Sequence, residues 1–284
     1  MATKISPLMA EAENTLRHIG GLGDGNFDIA EGALAYAALA GNVDSLTTYR
    51  DHLNTLVRDV AAASGPDPAA APLSVRIAAL NDVILKKYEY RGAVEDYDDL
   101  QNAELTRVIE RRRGLPIALG ILYIHAARAQ GWEICGLAFP GHFLLRIDCQ
   151  TERAILDPFT DGRCREAADL RELLKIIVGV EEELTPEHYA PVTDRDVLLR
   201  LQNNIKVRLL QTAEYEAALK TVEQMQLIVP TSAELIKEMA ILNRMTGNIE
   251  RSIELFESYL LRTPAGPERA QITLVLHELR DSLN

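Results

Sequence analysis

The spacing of apolar residues predicts helices over most of the first half of the chain. Two helices are expected between residues 27 and 63, because an Ala-rich run is followed by apolar side chains at intervals of three and four. Further helices are predicted over 74–90 and, as a pair, over 102–130. Gly114 is expected to end the first of that pair, and Pro116 stands where a first-turn proline is tolerated.

The pattern changes its period after the helical region. Short apolar runs occupy 134–139, 143–148 and 153–157, and residues typical of turns separate them. Runs of this length predict a small antiparallel sheet. Helices followed by such strands favour an α+β fold.

The chain becomes helical again from residue 194, and a repeat of 34 residues emerges. Pro230 and Pro264 stand 34 positions apart, and several apolar positions recur at the same offset across 197–230 and 231–264. This period is typical of tetratricopeptide repeats, although an ordinary helical tail with a coincidental period is the alternative. Because roughly three repeats are usually needed for a free-standing solenoid, we expect the tail to pack against the core.

Three segments follow from these patterns. The stretch SGPDPAAAP over 64–72 is typical of a linker. We therefore expect an N-terminal helical segment over 1–66, an α+β core over 67–190 and an all-α helical-repeat part over 191–284.

The charge of the chain bears on the ligands it could bind. The 284 residues carry a formal net charge of -12, which disfavours nucleic acid as a partner. The densest basic spot is Arg111-Arg112-Arg113, either a solvated helix end or an anion site. The acidic loop over 95–99 lacks the spacing of a calcium loop, so it favours a solvated turn.

The cysteine content points to a reducing compartment. Cys135, Cys149 and Cys164 are too few and too dispersed for a disulfide framework or a zinc site. We expect no cofactor and no metal. The chain contains no apolar run of about 20 residues, so we expect a cytoplasmic protein without a membrane partner.

Three ordered motifs resemble a known family. The segments ERRRGLPIALGILY (110–123), FPGHFLLR (139–146) and ILDPF (155–159) resemble the core of the transglutaminase-like superfamily. More closely they resemble the bacterial SirB1 family, in which such a core precedes tetratricopeptide-like repeats. The resemblance implies a thiolate at a helix start, a His and an Asp. The matching His and Asp here are His142 and Asp157.

The position of the expected nucleophile departs from this pattern. Pro116 occupies the cysteine position, and its immediate neighbours carry no nucleophile. Between Thr106 and Thr151 the only Cys, Ser or Thr residues are Cys135 and Cys149, both on predicted strands. A buried cysteine behaves as a small apolar residue with a raised pKa.

Three roles for His142 and Asp157 remain open at this level. They could bind a ligand or peptide in a cleft inherited from an enzyme, or they could form a structural pair. Alternatively, His142 could act as a general base on water. The further residues that match the family pattern or flank its motifs, and that we expect to line the cleft, are Asn102 (also a candidate helix cap), Glu110, Arg112, Gly114, Pro116 and Gly141.

The sequence thus predicts a non-catalytic interaction or regulatory protein that lacks the catalytic cysteine. A protein or peptide partner is expected. The alternative is a cysteine- or water-dependent amide hydrolase or acyl transferase that uses His142 and Asp157. For Glu110 and Arg112, simple solvation is an equal alternative to a place in the cleft.

Overall fold

The computed structural model of this chain describes residues 6–23, 25 and 27–281. Its described residues form two compact units. One unit combines the residues up to Thr15 with Leu22–Leu201, and the other combines Leu16–Gly21 with the residues from Gln202 onward. The division of the sequence into three folding segments stays a prediction.

The first unit contains the predicted helices of the N-terminal part of the chain and two that were not predicted. The predicted ones are α2 (Ile29–Ala40), α3 (Thr47–Ala63), α4 (Leu73–Asn81), α5 (Leu105–Arg111) and α6 (Pro116–Arg128). The other two are α1 (Pro7–Gly21), whose residues from Leu16 onward belong to the second unit, and α7 (Ala167–Ile177). The pairs predicted over 27–63 and 102–130 are confirmed. The helix predicted over 74–90 is shorter, because α4 passes into a π-helical turn at Asp82–Lys87.

Helix α6 is the central element of the first unit. Its residues are buried from Pro116 to Ile124, so it is apolar on every face rather than on one stripe. Pro116 occupies the first helical position, as predicted, because a residue there needs no intrahelical amide donor. The side chain of Phe143 packs against Gly120, where an added Cβ would lie 2.4 Å from the ring.

The predicted antiparallel sheet is confirmed. It consists of β3 (Glu133–Gly136), β4 (Leu145–Cys149), β5 (Glu152–Asp157) and β6 (Arg163–Cys164), in that spatial order. Its register places Leu145 opposite Leu156 and Asp157 opposite Arg163. Helix α7 covers an apolar cluster beside this sheet, formed by Leu137, Phe139, Leu144, Leu170 and Leu174.

A second, smaller sheet was not predicted. Strands β1 (Arg91–Gly92) and β2 (Arg113–Gly114) form a parallel pair with Arg91 opposite Arg113. Strands of two residues have no periodicity from which to predict them. Only Arg112 separates the end of α5 from the start of β2. Arg112 adopts the left-handed conformation that closes the helix. Gly114 therefore lies in β2 and does not end α5, contrary to the expectation.

The C-terminal helices follow a regular pattern. They are α8 (Asp194–Gln211), α9 (Tyr215–Ile228), α10 (Ala233–Met245), α11 (Ile249–Arg262) and α12 (Pro267–Asp281). Helices α9 and α11 begin, and also end, 34 residues apart. The turns before them use left-handed residues at the same offset, Ala213 and Gly247. These turns support two equivalent helix–turn–helix units, and their assignment as tetratricopeptide repeats stays a prediction.

Two features of the described residues bear on the expected partners. No helix of this part of the chain has the length and the apolar composition needed to cross a bilayer. Within the same residues, no group of three or more His, Cys, Asp or Glu side chains is arranged to hold a metal ion.

Candidate functional site

His142 lies in the turn that leads into β4. The preceding Gly141 has a φ of 63°, a left-handed conformation that favours glycine, and an added Cβ would lie 2.4 Å from Ile177. The carbonyl oxygen of His142 accepts a 2.6 Å hydrogen bond from Nη2 of Arg200, on α8. The edge of its ring meets Phe159, with 6.3 Å between ring centroids and 85° between ring planes. The His142 backbone and ring are thus both positioned by neighbours.

Asp157 is the last residue of β5, and it is completely buried. Its Oδ1 accepts hydrogen bonds from His142 Nε2 at 3.1 Å and from the amides of Phe159 at 3.1 Å and Thr160 at 3.2 Å. Its Oδ2 accepts from Arg165, with Nη2 at 2.7 Å and Nε at 3.2 Å. Burial alone would raise the pKa of the Asp157 carboxyl, but these bonds, with the nearby charges, hold that pKa well below its usual range.

The low pKa of Asp157 determines which nitrogen of His142 carries a proton. An ionised carboxylate only accepts hydrogen bonds, so Nε2 of His142 must be the donor in this contact. In a neutral ring, Nδ1 then bears the lone pair. A ring held in this tautomer by a carboxylate is the arrangement used by a general base.

The hydrogen bonds of His142 bear on the nucleophile that the resemblance implies. In the described part of the chain, no thiol and no hydroxyl forms a hydrogen bond with His142. Pro116, at the position where the resemblance implies a cysteine, is buried at the first turn of α6. Among the hydrogen bonds of the described residues, the ring of His142 is thus paired with the buried carboxylate of Asp157 alone.

The three cysteines are poor substitutes. Burial raises the pKa of the Cys135 thiol, and desolvation together with the nearby Glu166 carboxylate raises that of Cys164. Cys149 is buried, with its Sγ 3.8 Å from the carbonyl oxygen of Ala71. A thiol with a raised pKa is protonated at neutral pH and is a weak nucleophile.

Asn102 does not cap a helix, contrary to one expectation. It is buried in a 3-10 turn before α5, where its Nδ2 donates to the carbonyl oxygen of Asp96. Its Oδ1 accepts from Arg111 at 3.2 Å, and its carbonyl oxygen accepts from the amide of Leu115 at 2.8 Å. Asn102 therefore holds the chain at the start of α6, because three different segments bond to it.

Gly114 also has a packing role. A Cβ at this position would lie 2.9 Å from the side chain of Val108 and 3.5 Å from the carbonyl oxygen of Asn102. The space beside Gly114 is occupied by these groups. The glycine permits a close approach of β2 to α5, and it does not open a cleft.

Glu110 and Arg112 line a cavity of about 480 Å³ to which His142 does not contribute. Glu110 accepts hydrogen bonds from Tyr49 and Arg107. Arg112 donates to His52 Nε2 at 2.8 Å. The two side chains do not pair with each other, as expected from their spacing of two residues. Neither of them faces the His142–Asp157 pair.

Three residues of the site were not predicted from the sequence. Arg165 binds Asp157, the ring of Phe159 meets that of His142, and Arg200 holds the His142 carbonyl. Arg165 had a signal, because the hairpin dipeptide Asp161-Gly162 predicts that the chain returns beside β5. The contact of Arg200 spans 58 residues and had no local signal.

The sequence around this site matches a known protein family. A family model described as the transglutaminase-like superfamily matches residues 47–203, which is more than half of the chain. The chain belongs to the transglutaminase-like superfamily. The matched region contains the whole sheet of the transglutaminase-like core together with His142, Asp157 and Pro116.

Several relatives are similar to part of the chain. A UPF0162 protein of Xylella fastidiosa is 28% identical over 194 residues, which are 67% of this chain and 69% of that protein. A UPF0162 protein of Pseudomonas aeruginosa is 33% identical over 184 residues, 64% of each chain. F-box only protein 21 of Mus musculus is 37% identical over 81 residues, 28% of this chain and 13% of that protein. No solved structure gave a significant match. The SirB1 resemblance stays a prediction.

Proposed function

We propose that this chain is a non-catalytic interaction or regulatory protein whose transglutaminase-like core binds a protein or peptide partner. One observation carries the proposal. His142 and Asp157 have the geometry of a base and its orienting carboxylate, while Pro116 occupies the position at which the family resemblance implies a thiol. A site of this kind retains its polar groups and its shape but lacks the group that forms a covalent intermediate.

The outer edge of β5 supports a peptide partner. Within the described residues, β6 pairs only with Leu156 and Asp157, and the Arg165 amide bonds to the Ile155 carbonyl. The edge over 152–154 extends beyond these pairings. An unpaired strand edge is a template onto which an extended peptide can add as a further strand.

A cavity beside this edge supports an apolar anchor in the peptide. Its volume is about 420 Å³, and its apolar lining includes Ile155, Leu170, Leu184 and Tyr189. Its charged lining consists of three arginines and one glutamate, namely Arg153, Arg165, Arg171 and Glu166. An acidic peptide with one large apolar side chain matches this lining best. Arg165 links the cavity to Asp157.

Peptide selection tests the binding role. Random peptides are displayed and selected on the full chain, and the affinity of enriched peptides is then measured by fluorescence anisotropy. Tyr189→Ala should weaken binding by about tenfold, since aromatic anchors dominate such contacts. Leu274→Ala, which truncates an apolar side chain that is 65% exposed in the second unit, should leave the affinity unchanged. Enriched peptides that ignore Tyr189→Ala would argue against this binding site.

A second candidate function is water-dependent amide hydrolysis or acyl transfer. The observation in its favour is the tautomer of His142, whose Nδ1 is left as an acceptor. Release of ammonia from glutamine-containing peptides measures this activity directly. Turnover by the purified chain that disappears in His142→Ala would establish an enzyme and end the non-catalytic proposal.

A further inference from the structure

A cavity of about 440 Å³ lies beside the small parallel sheet, and its lining is strongly basic. The lining residues are Glu89, Arg91, Arg111, Arg112 and Arg113. Four arginines and one glutamate thus line this cavity in a chain whose formal net charge is -12. A local excess of positive charge on an otherwise acidic chain attracts anions to this point.

The backbone brings these arginines together from two distant segments. The parallel pairing of β1 with β2 places Arg91 directly opposite Arg113. Like charges in cross-strand positions repel each other and cost stability. The glycines that follow, Gly92 and Gly114, are closely packed against other segments, because a Cβ would meet Phe159 at 2.6 Å or Val108 at 2.9 Å. The repulsion is thus built into a closely packed element.

Arg112 and Arg113 have neutral partners. Arg113 donates to the carbonyl oxygens of Glu89 and Arg112, at 3.1 and 2.9 Å. Arg112 donates to His52 and to the hydroxyl of Tyr90. Burial and the charge of Arg112 lower the pKa of His52 to about 4, so this imidazole is neutral at pH 7. In the described chain neither guanidinium forms an ion pair with a carboxylate.

The other two arginines each contact a carboxylate and a neutral acceptor. Arg91 meets Asp161 at 3.5 Å, but the Asp161 side chain is 75% exposed. Arg111 meets Asp99 at 3.3 Å. The Arg91–Asp161 pair is exposed and contributes little, whereas the Arg111–Asp99 pair is half-buried. Arg91 also donates to the carbonyl oxygen of Leu85, and Arg111 to Oδ1 of Asn102. Four arginines still outnumber the carboxylates that line the cavity or pair with them, so the lining keeps an excess of positive charge.

We propose that this cavity binds the phosphate group of a small phosphorylated molecule. Guanidinium groups present parallel donors that match the oxygens of a phosphate, and several of them can bind one dianion. The volume lies within the range of roughly 300–1,000 Å³ that is typical of small-molecule pockets. Binding would remove the repulsion between Arg91 and Arg113.

The surroundings of the cavity limit the size of the ligand. An adjoining cavity of about 330 Å³ shares Arg91, Arg111 and Arg113 but is also lined by Glu95 and Asp96. These two carboxylates repel a second phosphate that extends in their direction. A compact ligand with one phosphate fits both cavities better than the backbone of a nucleic acid.

Isothermal titration of the full chain tests the proposal. Inorganic phosphate, glucose 6-phosphate and a single-stranded oligonucleotide are titrated separately at one fixed ionic strength, with glucose and chloride as blanks. Saturable binding of the first two and weaker binding of the oligonucleotide are expected. Preference for inorganic phosphate over glucose 6-phosphate would identify free phosphate as the ligand. The reverse preference would identify a phosphate ester.

Matched variants distinguish phosphate binding in this cavity from nonspecific attraction by the positive charges of the surface. Arg113→Gln should weaken phosphate binding by at least about tenfold, and Arg113→Lys should be intermediate, because lysine keeps the charge but loses the paired donors. Arg58→Gln removes an equal charge from an exposed position outside the cavity and should change affinity less than about twofold. Equal weakening by Arg58→Gln and Arg113→Gln would overturn the site.

A measurement on the unaltered chain guards against a variant that fails to fold. Phenylglyoxal modifies accessible guanidinium groups, and the modified residues are identified by peptide mass spectrometry. Phosphate should protect Arg91 and Arg113 and leave Arg58 reactive. Protection that is equal at all three residues, or absent at Arg113, would overturn the proposal.

Discussion

Nε2 of His142 lies 3.1 Å from Oδ1 of Asp157, a carboxylate that is completely buried and also bound by Arg165. One buried carboxylate thus joins the turn before β4 to the segment after β6. This arrangement has consequences for stability whether or not the pair contacts a ligand.

Replacing this carboxylate should destabilise the fold. Asp157→Asn removes a buried charge and leaves Arg165, whose side chain is only 15% exposed, without its partner. Breaking a buried ion pair from one side costs about 3–5 kcal/mol, and we expect a loss in this range in urea unfolding. The control is Asp161→Asn, four residues away and 75% exposed, which should change stability by less than about 0.5 kcal/mol. Equal effects of the two changes would contradict the structural role of Asp157.

The same carboxylate should make stability depend on acid pH. The pKa of Asp157 is lowered by folding from 3.8, so near that value the unfolded chain binds more protons than the folded chain. Its contribution is present above pH 3.8 and is lost as the pH falls towards the lower folded pKa. The difference in unfolding free energy between the wild type and Asp157→Asn should therefore shrink below about pH 4. A difference that grows on acidification would reverse the assigned sign.

His52 should affect stability in a different pH window. Folding lowers its pKa from 6.5 to about 4, chiefly through burial and then through Arg112. Above pH 6.5 both states are neutral at this residue, and between 6.5 and 4 only the unfolded chain gains the proton, so stability falls. His52→Gln should lose less stability than the wild type over this interval. Titration of His52 by NMR checks the cause, since Arg112→Gln should raise its pKa.

A cysteine introduced at position 116 tests whether this position and His142 form one site. The side chain in Pro116→Cys would stand at the first turn of α6, where the helix dipole lowers a thiol pKa. Since residue 116 is buried and Cys164 is exposed, the readout is the change in the rate of alkylation by iodoacetamide at residue 116, with Cys164 as the internal reference. Adding His142→Ala should slow the reaction at residue 116 and leave Cys164 unaffected. Reactivity at residue 116 that is indifferent to His142 would indicate that the two positions do not form one site.

The contact between α6 and Phe143 should be intolerant of added volume. Gly120→Ala would place a methyl group 2.4 Å from the Phe143 ring, which is almost fully buried. Overpacking of this kind costs about 1–3 kcal/mol, more than the helix propensity of alanine returns. Gly21→Ala has nothing within 4 Å of the new methyl group and should be neutral or slightly stabilising. Thermal unfolding of both variants measures these changes in stability, and an equal effect of the two substitutions would contradict the close contact between Gly120 and Phe143.

Local patterns were sufficient for the main elements. Helices α2, α3 and α6, the antiparallel strands and the offset of 34 residues between α9 and α11 all follow from periodicities within one segment. The pairing of His142 with Asp157 was also expected, although only from the family resemblance. These predictions succeed because the periods of helix and strand are properties of neighbouring residues.

Long-range contacts account for what was missed. Asn102 was expected to cap a helix, yet it bonds to Asp96, Arg111 and Leu115. The bond of Arg200 to His142 depends on the approach of α8 to a turn 58 residues earlier. Neither contact has a spacing that could be read from the chain.

The sequence by itself determined helices α2, α3 and α6, the antiparallel sheet, the residues available for chemistry and the absence of a thiol at position 116. Only the tertiary structure decided that Arg165 completes the Asp157 site and that Arg91 stands opposite Arg113. The physical reason is the same in both cases. Hydrophobic periodicity specifies which face of an element is buried, whereas the partner of a polar side chain depends on which distant segments packing brings together.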